Sequence, residues 1–412
     1  MASIFLSRFP LLDRDQKLVG YELQPRSLQA ESGGDGRRPD VQVLTEAMGR
    51  EELPALGGGM PLLVPVTSEM LPRRTSLGLD PWAHLLEVSA EDLVDSGIQG
   101  TLDEWRREGG RVAVELGDPL RDPERVGRRV DMYRIDVSRC GDLNTLSEWL
   151  APLKAAEVPL VAIGVHDRGA FDICRDLGCV RFEGQFFAQP VDVTREALPE
   201  ETTVLFRLFN QLGRRAEIKE VAETFSENPE ISERLLHFIN SGAFHIPKEV
   251  ENVRQAMVML GQKGLQKWVA LLLYSGNITA GLRQPLLEES IVRGRSMELV
   301  ARAGKGDEAF GDEAFIAGAL SVMQPLLGRP LRQLVREMHL DREVSGALLH
   351  GRGQIGALLR AVIELRQSRS VRGPAGPEAA PFGADRLLPA EEQAVLELEE
   401  LERFHGSDDP NF

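Results

Sequence analysis

The spacing of apolar residues changes its period once along the chain, and that change sets what the chain can become. From residue 204 onward nearly every segment carries helical spacing: Leu205, Leu208, Phe209 and Leu212, then Ile218, Val221, Ala222 and Phe225. Before about residue 190, short apolar runs suited to strands alternate with helical stretches. With 412 residues the chain exceeds one ordinary core. The two periods therefore predict an α/β domain followed by an all-helical one. The boundary falls at residues 192–202, where Pro199 and a cluster of acidic residues separate the patterns.

In the first half, runs at 4–6 and 18–23 read as an opening hairpin turned by Asp13-Arg14-Asp15. Further strand runs lie at 62–66, 85–88, 112–116, 132–135, 160–163 and 182–187, with helices expected at 102–108 and 143–156. Near-continuous apolar strands alternating with helices predict a parallel sheet covered on both faces. There are enough of them for a (β/α)8-like barrel over residues 1–195, with a loop at 32–40. The all-helical domain is expected over 196–370. Within it, residues 228–261 read as two capped amphipathic helices. Asn228 is the N-cap of the first, Pro229 its first residue, and Ile231, Leu235, Phe238 and Ile239 its buried face. Asn240-Ser241-Gly242 stops it. Asn252, with Gln255 three residues on, starts the second, and Gly261 closes it. Gly213 is expected to cap the preceding helix. Residues 371–412 read as a Gly-Pro linker at 373–377, an acidic helix at 391–404 and a tail.

Charge and motif content exclude several function classes. A net charge of −16 argues against a phosphate-tracking nucleic-acid surface. Cys140, Cys174 and Cys179 include no CxxC pair and fit reduced thiols, so a cytoplasmic protein is expected. The N-terminus carries no signal-type segment, and the most apolar run, 268–274, falls far short of the roughly 20 residues that span a bilayer. No Gly-x-Ser-x-Gly or Walker-type loop occurs. The seven histidines (His84, His166, His237, His245, His339, His350, His405) are scattered without a ligand-spaced pair, so neither a metal nor a cofactor is expected.

Three stretches carry a family resemblance: Gly20-Tyr21-Glu22-Leu23-Gln24-Pro25-Arg26, residues 130–136, and residues 177–190 with Gly184-Gln185-Phe186-Phe187. In order and spacing they resemble the EAL family of barrel phosphodiesterases that cleave cyclic di-GMP with two divalent cations. The resemblance places Glu22 on the signature glutamate, Arg26 on its following arginine, Glu87 on a later motif glutamate and Asp136 on the aspartate of a Lys-Ile-Asp run. It also implies losses. Pro65 stands for a metal-binding asparagine, Ala90 for a glutamate, Glu115-Leu116 for an Asp-Asp pair, Ile163 for another glutamate, Arg134 for the lysine and Glu183 for a glutamine. Two hard cations need converging oxygen donors, so the resemblance implies a barrel without hydrolysis. Glu22, Arg26, Glu87, Arg134 and Asp136 are the candidate ligand-binding residues. Each also has a structural reading: Glu22 and Arg26 as partners in an intrabarrel ion pair, Asp136 as a helix cap.

The helical half resembles the HDOD family, signalling domains related to HD-type metal hydrolases but lacking their ligands. Here Gly318-Ala319-Leu320-Ser321-Val322 stands where Gly-Leu-Leu-His-Asp is usual, and Arg295-Ser296 falls near an earlier histidine. A hydroxyl and an isopropyl group cannot replace imidazole and carboxylate. Together the resemblances imply a two-domain, non-enzymatic bacterial signalling or scaffold protein that acts through protein–protein contacts. The implied partners are nucleotide-signalling enzymes, kinases or a second copy. The alternative is a receptor for cyclic di-GMP or a related nucleotide, using the barrel. No nucleic acid and no membrane partner is expected.

Overall fold

The computed structural model describes residues 4–27, 56–74, 78–116, 130–140, 146–148, 150–151, 153, 157–189, 198–240, 250–274, 285–305, 308–368 and 382–406. These divide into two compact units, Met1–Phe187 with Arg366–Gly373, and Ala188–Leu365 with Pro374–Phe412.

The first unit is a closed eight-stranded barrel in sequence order. Its strands are β1 (Ile4–Asp13), β2 (Leu18–Ser27), β3 (Leu62–Pro65), β4 (His84–Ser89), β5 (Arg111–Leu116), β6 (Met132–Asp136), β7 (Leu160–Ile163) and β8 (Arg181–Glu183). Every strand run expected from the sequence overlaps one of them, but the run at 182–187 is strand only to Glu183, and Phe186–Ala188 is a 3-10 turn. The opening hairpin makes β1 antiparallel to both β2 and β8, whereas β2 through β8 are parallel. The barrel thus departs from an all-parallel (β/α)8 sheet at one strand.

Alternate residues of a strand share a face, and this layers the interior. Leu11, Leu63, Leu85, Ala113, Met132, Val161 and Ile163 form one apolar cluster. Two residues further along β4 and β6, toward the strand C-termini, the same face carries Glu87 and Arg134. The barrel is therefore apolar below and charged at its mouth. Side-chain caps start the helices that follow the strands: Ser89 Oγ accepts from Asp92 N at 2.8 Å for α1 (Ala90–Val94), Asp95 from Gly97 N at 2.8 Å for α2 (Ser96–Arg107), and Asp167 from Ala170 N at 2.9 Å for α3 (Arg168–Asp176). The helix expected at 102–108 is the latter part of α2. Of the one expected at 143–156, the described residues 146–148, 150–151 and 153 are helical. The loop at 32–40 and the linker at 373–377 lie outside the described residues. Cys174 and Cys179 are buried and form no disulfide, as expected of small apolar side chains.

The second unit is helical: α4 (Glu200–Gly213), α5 (Ile218–Ser226), α6 (Pro229–Asn240), α7 (Val253–Leu272), α8 (Pro285–Lys305), α9 (Glu308–Leu320), α10 (Met323–Leu327), α11 (Leu331–Glu337), α12 (Arg342–His350), α13 (Gly353–Gln367) and α14 (Ala384–Gly406). The last contains the acidic helix expected at 391–404 and packs on α8. Helices α8 and α9 approach closely at two glycines. A Cβ on Gly318 would lie 2.7 Å from the Arg293 carbonyl oxygen, and one on Gly294 3.1 Å from that of Phe315.

One expectation about glycine holds and one is corrected. Gly261 closes the helical stretch that starts at Val253: its φ 66 and ψ 172 are non-helical, and a second helical stretch follows this kink to Leu272. Gly213 is not a cap but the last helical residue; Arg215 carries the left-handed φ of 55. Gly213 is small because the Gln266 amide packs there, 2.8 Å from where a Cβ would sit. The capping of α7 is as expected, with Asn252 Oδ1 accepting from Gln255 N at 2.9 Å. The Gln255 side chain instead takes the Glu251 N–H, at 3.0 Å. Asn228 precedes α6, and its Nδ2 donates to the Thr224 carbonyl at 2.8 Å. Asn240 donates to the Val250 carbonyl and accepts from its N–H, at 2.9 and 2.8 Å, tying the end of α6 to the residues before α7.

Candidate binding site at the barrel mouth

Glu22 on β2, Glu87 on β4 and Arg134 on β6 stand mid-strand and converge because the closed barrel brings alternate strands together across its interior. Arg134 is fully buried and Glu22 is 2% exposed. One guanidinium nitrogen of Arg134 donates to Glu22 Oε2 and the other contacts Glu87 Oε2, so a single fixed cation bridges two carboxylates. Gln24 Nε2 adds a hydrogen bond to Glu22 Oε1 at 2.9 Å. A guanidinium stays protonated throughout the accessible pH range and its planar fork suits such bridging, which a lysine at this place could not reproduce.

Asp136, the next inward position on β6, turns the chain. Its Oδ1 accepts from Ser138 N at 3.1 Å and from Ser138 Oγ at 2.5 Å, capping the 3-10 turn Val137–Arg139. Gly164, at φ 69, leaves room for this carboxylate: a Cβ there would stand 2.8 Å from Asp136 Oδ1. Glu183 Oε2 accepts from Gly164 N at 3.0 Å. Arg26 lies apart from the bridge, its guanidinium 5.3 Å from the centre of the Phe9 ring and its Nη2 donating to the Ser368 carbonyl at 2.8 Å. Arg366, in the segment that clusters with the barrel, lies 5.6 Å from the same ring centre. Burial pushes Tyr133, beside Arg134 in sequence, up to about 12.

The structure thus brings Glu22, Glu87 and Arg134 together, gives Asp136 its capping role, and sets Arg26 on Phe9. Gln24, Ser138 and Phe9 also contribute, and the sequence by itself did not set them apart as site residues. The alternation of β1 and β2, which pairs Phe9 with Glu22, was the signal that could have found Phe9. The EAL resemblance implies two divalent cations here, and the residues present do not fit them. The carboxylates that remain near β2 and β4 already face the charge of Arg134, while Pro65 and Ile163, at the ends of β3 and β7, offer no side-chain oxygen. Among the described residues no cluster of His, Cys, Asp and Glu could hold a metal ion.

In the helical unit, Ser321, one of the positions that the resemblance sets on an HD ligand, is met by a guanidinium. Arg293 Nε donates to Glu289 Oε1 at 2.5 Å and Nη1 to Ser321 Oγ at 3.2 Å; Tyr274 OH donates to the Ala319 carbonyl at 2.6 Å. Arg295 forms a fork with Glu397, at 2.6 and 3.0 Å, and Ser296 Oγ donates to the Ala390 carbonyl at 3.5 Å. These are packing and pairing roles.

The HDOD domain family matches residues 198–358. The chain is 22% identical over 356 residues to the protein YuxH of Bacillus subtilis (strain 168), covering 84% of this chain and 86% of that one. It is 25% identical over 369 residues to a protein of Vibrio cholerae serotype O1 named cyclic di-GMP phosphodiesterase CdgJ, covering 87% and 84%. Among solved structures, the Bacillus subtilis YkuI protein, which has an EAL domain and is in complex with cyclic di-GMP and calcium, aligns at 16% identity and a TM-score of 0.35, covering 62% of this chain and 72% of that one. No helix among the described residues is long and apolar enough to cross a membrane. The chain carries an HDOD domain over residues 198–358, behind a closed eight-stranded barrel.

Proposed function

We propose that this protein is a non-hydrolytic component of cyclic di-GMP signalling in the cytoplasm, acting by binding other proteins. The observation that carries the reading is the bridge from Arg134 to Glu22 and Glu87. Two-metal phosphodiester hydrolysis needs carboxylates free to coordinate cations and to generate hydroxide. Here two of the surviving carboxylates are committed to a resident guanidinium, and a cation next to that guanidinium would be repelled. The missing imidazoles of the helical half support the same reading. The name of the Vibrio relative supports the signalling context; its activity is that protein's own.

The test is turnover of cyclic di-GMP by the full chain with Mg²⁺ or Mn²⁺. No product is expected. Product formation that Glu22→Ala abolishes overturns the reading.

A second reading, a cyclic dinucleotide receptor, is favoured by one observation: Arg26 stands at the barrel mouth on an aromatic ring, a pairing suited to phosphate and base. Calorimetric titration separates the two readings. Heat that is lost in Arg26→Ala supports the receptor; no heat at high nucleotide concentration supports the scaffold.

A further inference from the structure

Helices α4, α7, α9 and α12 enclose a cavity of about 400 Å³ in the helical unit, within the roughly 300–1,000 Å³ of small-molecule sites. Its floor is apolar, with Phe209, Ile316 and Val344 buried. Its walls carry both signs of charge: Arg214 and Lys263 on one hand, Glu313 and Asp341 on the other.

Two local features in this lining bear on what could fill it. Asn210 Nδ2 donates to the Glu337 carbonyl at 3.0 Å, but its shielded Oδ1 meets no hydrogen-bond donor among the described residues. Buried acceptors are normally satisfied, and one that is not calls for a reason. Lys263 Nζ donates to Gln266 Oε1 at 3.4 Å and makes no ion pair among the described residues, whereas Arg214 is already paired with Glu220. An orphan acceptor and a cation outside any described ion pair thus meet around one apolar floor.

We propose that this cavity binds a small zwitterion with an apolar body, of the class of the apolar α-amino acids. A purely anionic ligand would face the Asp341 carboxylate and a purely cationic one the Lys263 ammonium; a zwitterion has a group for each sign. Its carboxylate goes to Lys263. Its ammonium donates to Asn210 Oδ1, reached by a small turn of the amide about its broad terminal torsion. Its side chain covers Phe209, Ile316 and Val344. The proposal stands on the helical unit alone and does not depend on the barrel's function.

The test is calorimetric titration and thermal shift of the full chain with leucine and with phenylalanine. Isovalerate and isoamylamine, which keep the apolar body but carry one charge each, serve as controls. One of the amino acids is expected to bind and raise Tm, with each control at least about tenfold weaker, as for loss of one charge-assisted hydrogen bond. Lys263→Met should weaken the amino acid by a similar factor, and Ile316→Trp, which fills the floor, should abolish binding. If Ile316→Trp fails to fold, Lys263→Met on the wall still decides. No heat with either amino acid up to its solubility limit, or binding unchanged in Lys263→Met, overturns the proposal and leaves Asn210 Oδ1 as a hydrated group.

Discussion

Arg134 is fully buried and holds two carboxylates at once, so its removal takes from Glu22 and Glu87 the cation they share. Breaking a buried ion pair from one side typically costs about 3–5 kcal/mol. Arg134→Ala is therefore expected to lower barrel stability by about that much, read from denaturant unfolding with the slope unchanged. Combining Arg134→Met with Glu22→Gln and Glu87→Gln should recover most of the loss, because no charge is then buried alone. His84 carries a second residue-scale expectation. It is buried, which lowers its pKa below the ordinary 6.5, with Asp80 opposing the shift. Its Nδ1 accepts from Asp80 N at 2.7 Å, so the neutral ring is the one that fits. Between the lowered value and 6.5 the unfolded chain binds more protons than the folded one. The contribution of His84 is thus whole above pH 6.5 and lost as pH falls through the lowered value, at about 1.4 kcal/mol per unit of depression. His84→Asn, which keeps an acceptor but does not titrate, should flatten the pH dependence of Tm in that window. The arginine at 134 was legible in the sequence as a departure from the resembled lysine. Its two partners were not, since Glu22, Glu87 and Arg134 are far apart in the chain and meet only through barrel closure.

At the scale of elements, the strand runs were legible because period-2 alternation and β-branched content are local properties. Caps were too, since Asn252 and Gln255 act within one turn. Gly261 was legible in the same way: a glycine after an apolar helical stretch marks a terminus, and its non-helical φ 66 and ψ 172 end the stretch that starts at Val253. That a second helical stretch then runs to Leu272 depends on packing in the helical unit, which is a tertiary matter. Close approaches are equally hidden. Gly184, after β8, has φ 139, and a Cβ there would stand 2.0 Å from the Val165 carbonyl oxygen, a backbone atom that cannot swing aside. Gly184→Ala is expected to destabilise the barrel by about 2 kcal/mol or more, from left-handed strain and overpacking together. The corresponding test for the helical unit is Lys267, whose ammonium lies 2.8 Å from both Glu298 Oε1 and Asp312 Oδ1, joining α7, α8 and α9. Burial alone would raise Glu298, but Lys267 and Arg295 hold it below its usual range. Lys267→Met removes one of those cations and should cost about 1.5–3 kcal/mol. Stability tied to the lowered Glu298 is present above pH 4.5 and lost as pH falls through the lowered value, so the variant should show a shallower acid limb in thermal melts.

For the whole molecule, the decisive fact is that each unit closes a core of its own, a barrel interior in one and a helix bundle in the other. The period change in the sequence foretold this much, because a strand pattern and a helix pattern cannot share one layer. Chains with two such cores commonly depart from two-state unfolding. Scanning calorimetry of the full chain is therefore expected to resolve two transitions. The variants assign them. Arg134→Ala and Gly184→Ala should lower only the barrel transition, and Lys267→Met only that of the helical unit, since distant sites without shared partners act additively within about 0.5 kcal/mol. In the pair Arg134→Ala with Lys267→Met both transitions should fall by the single-variant amounts. A single cooperative peak that moves as one with every variant would show instead that the two cores fold as one body.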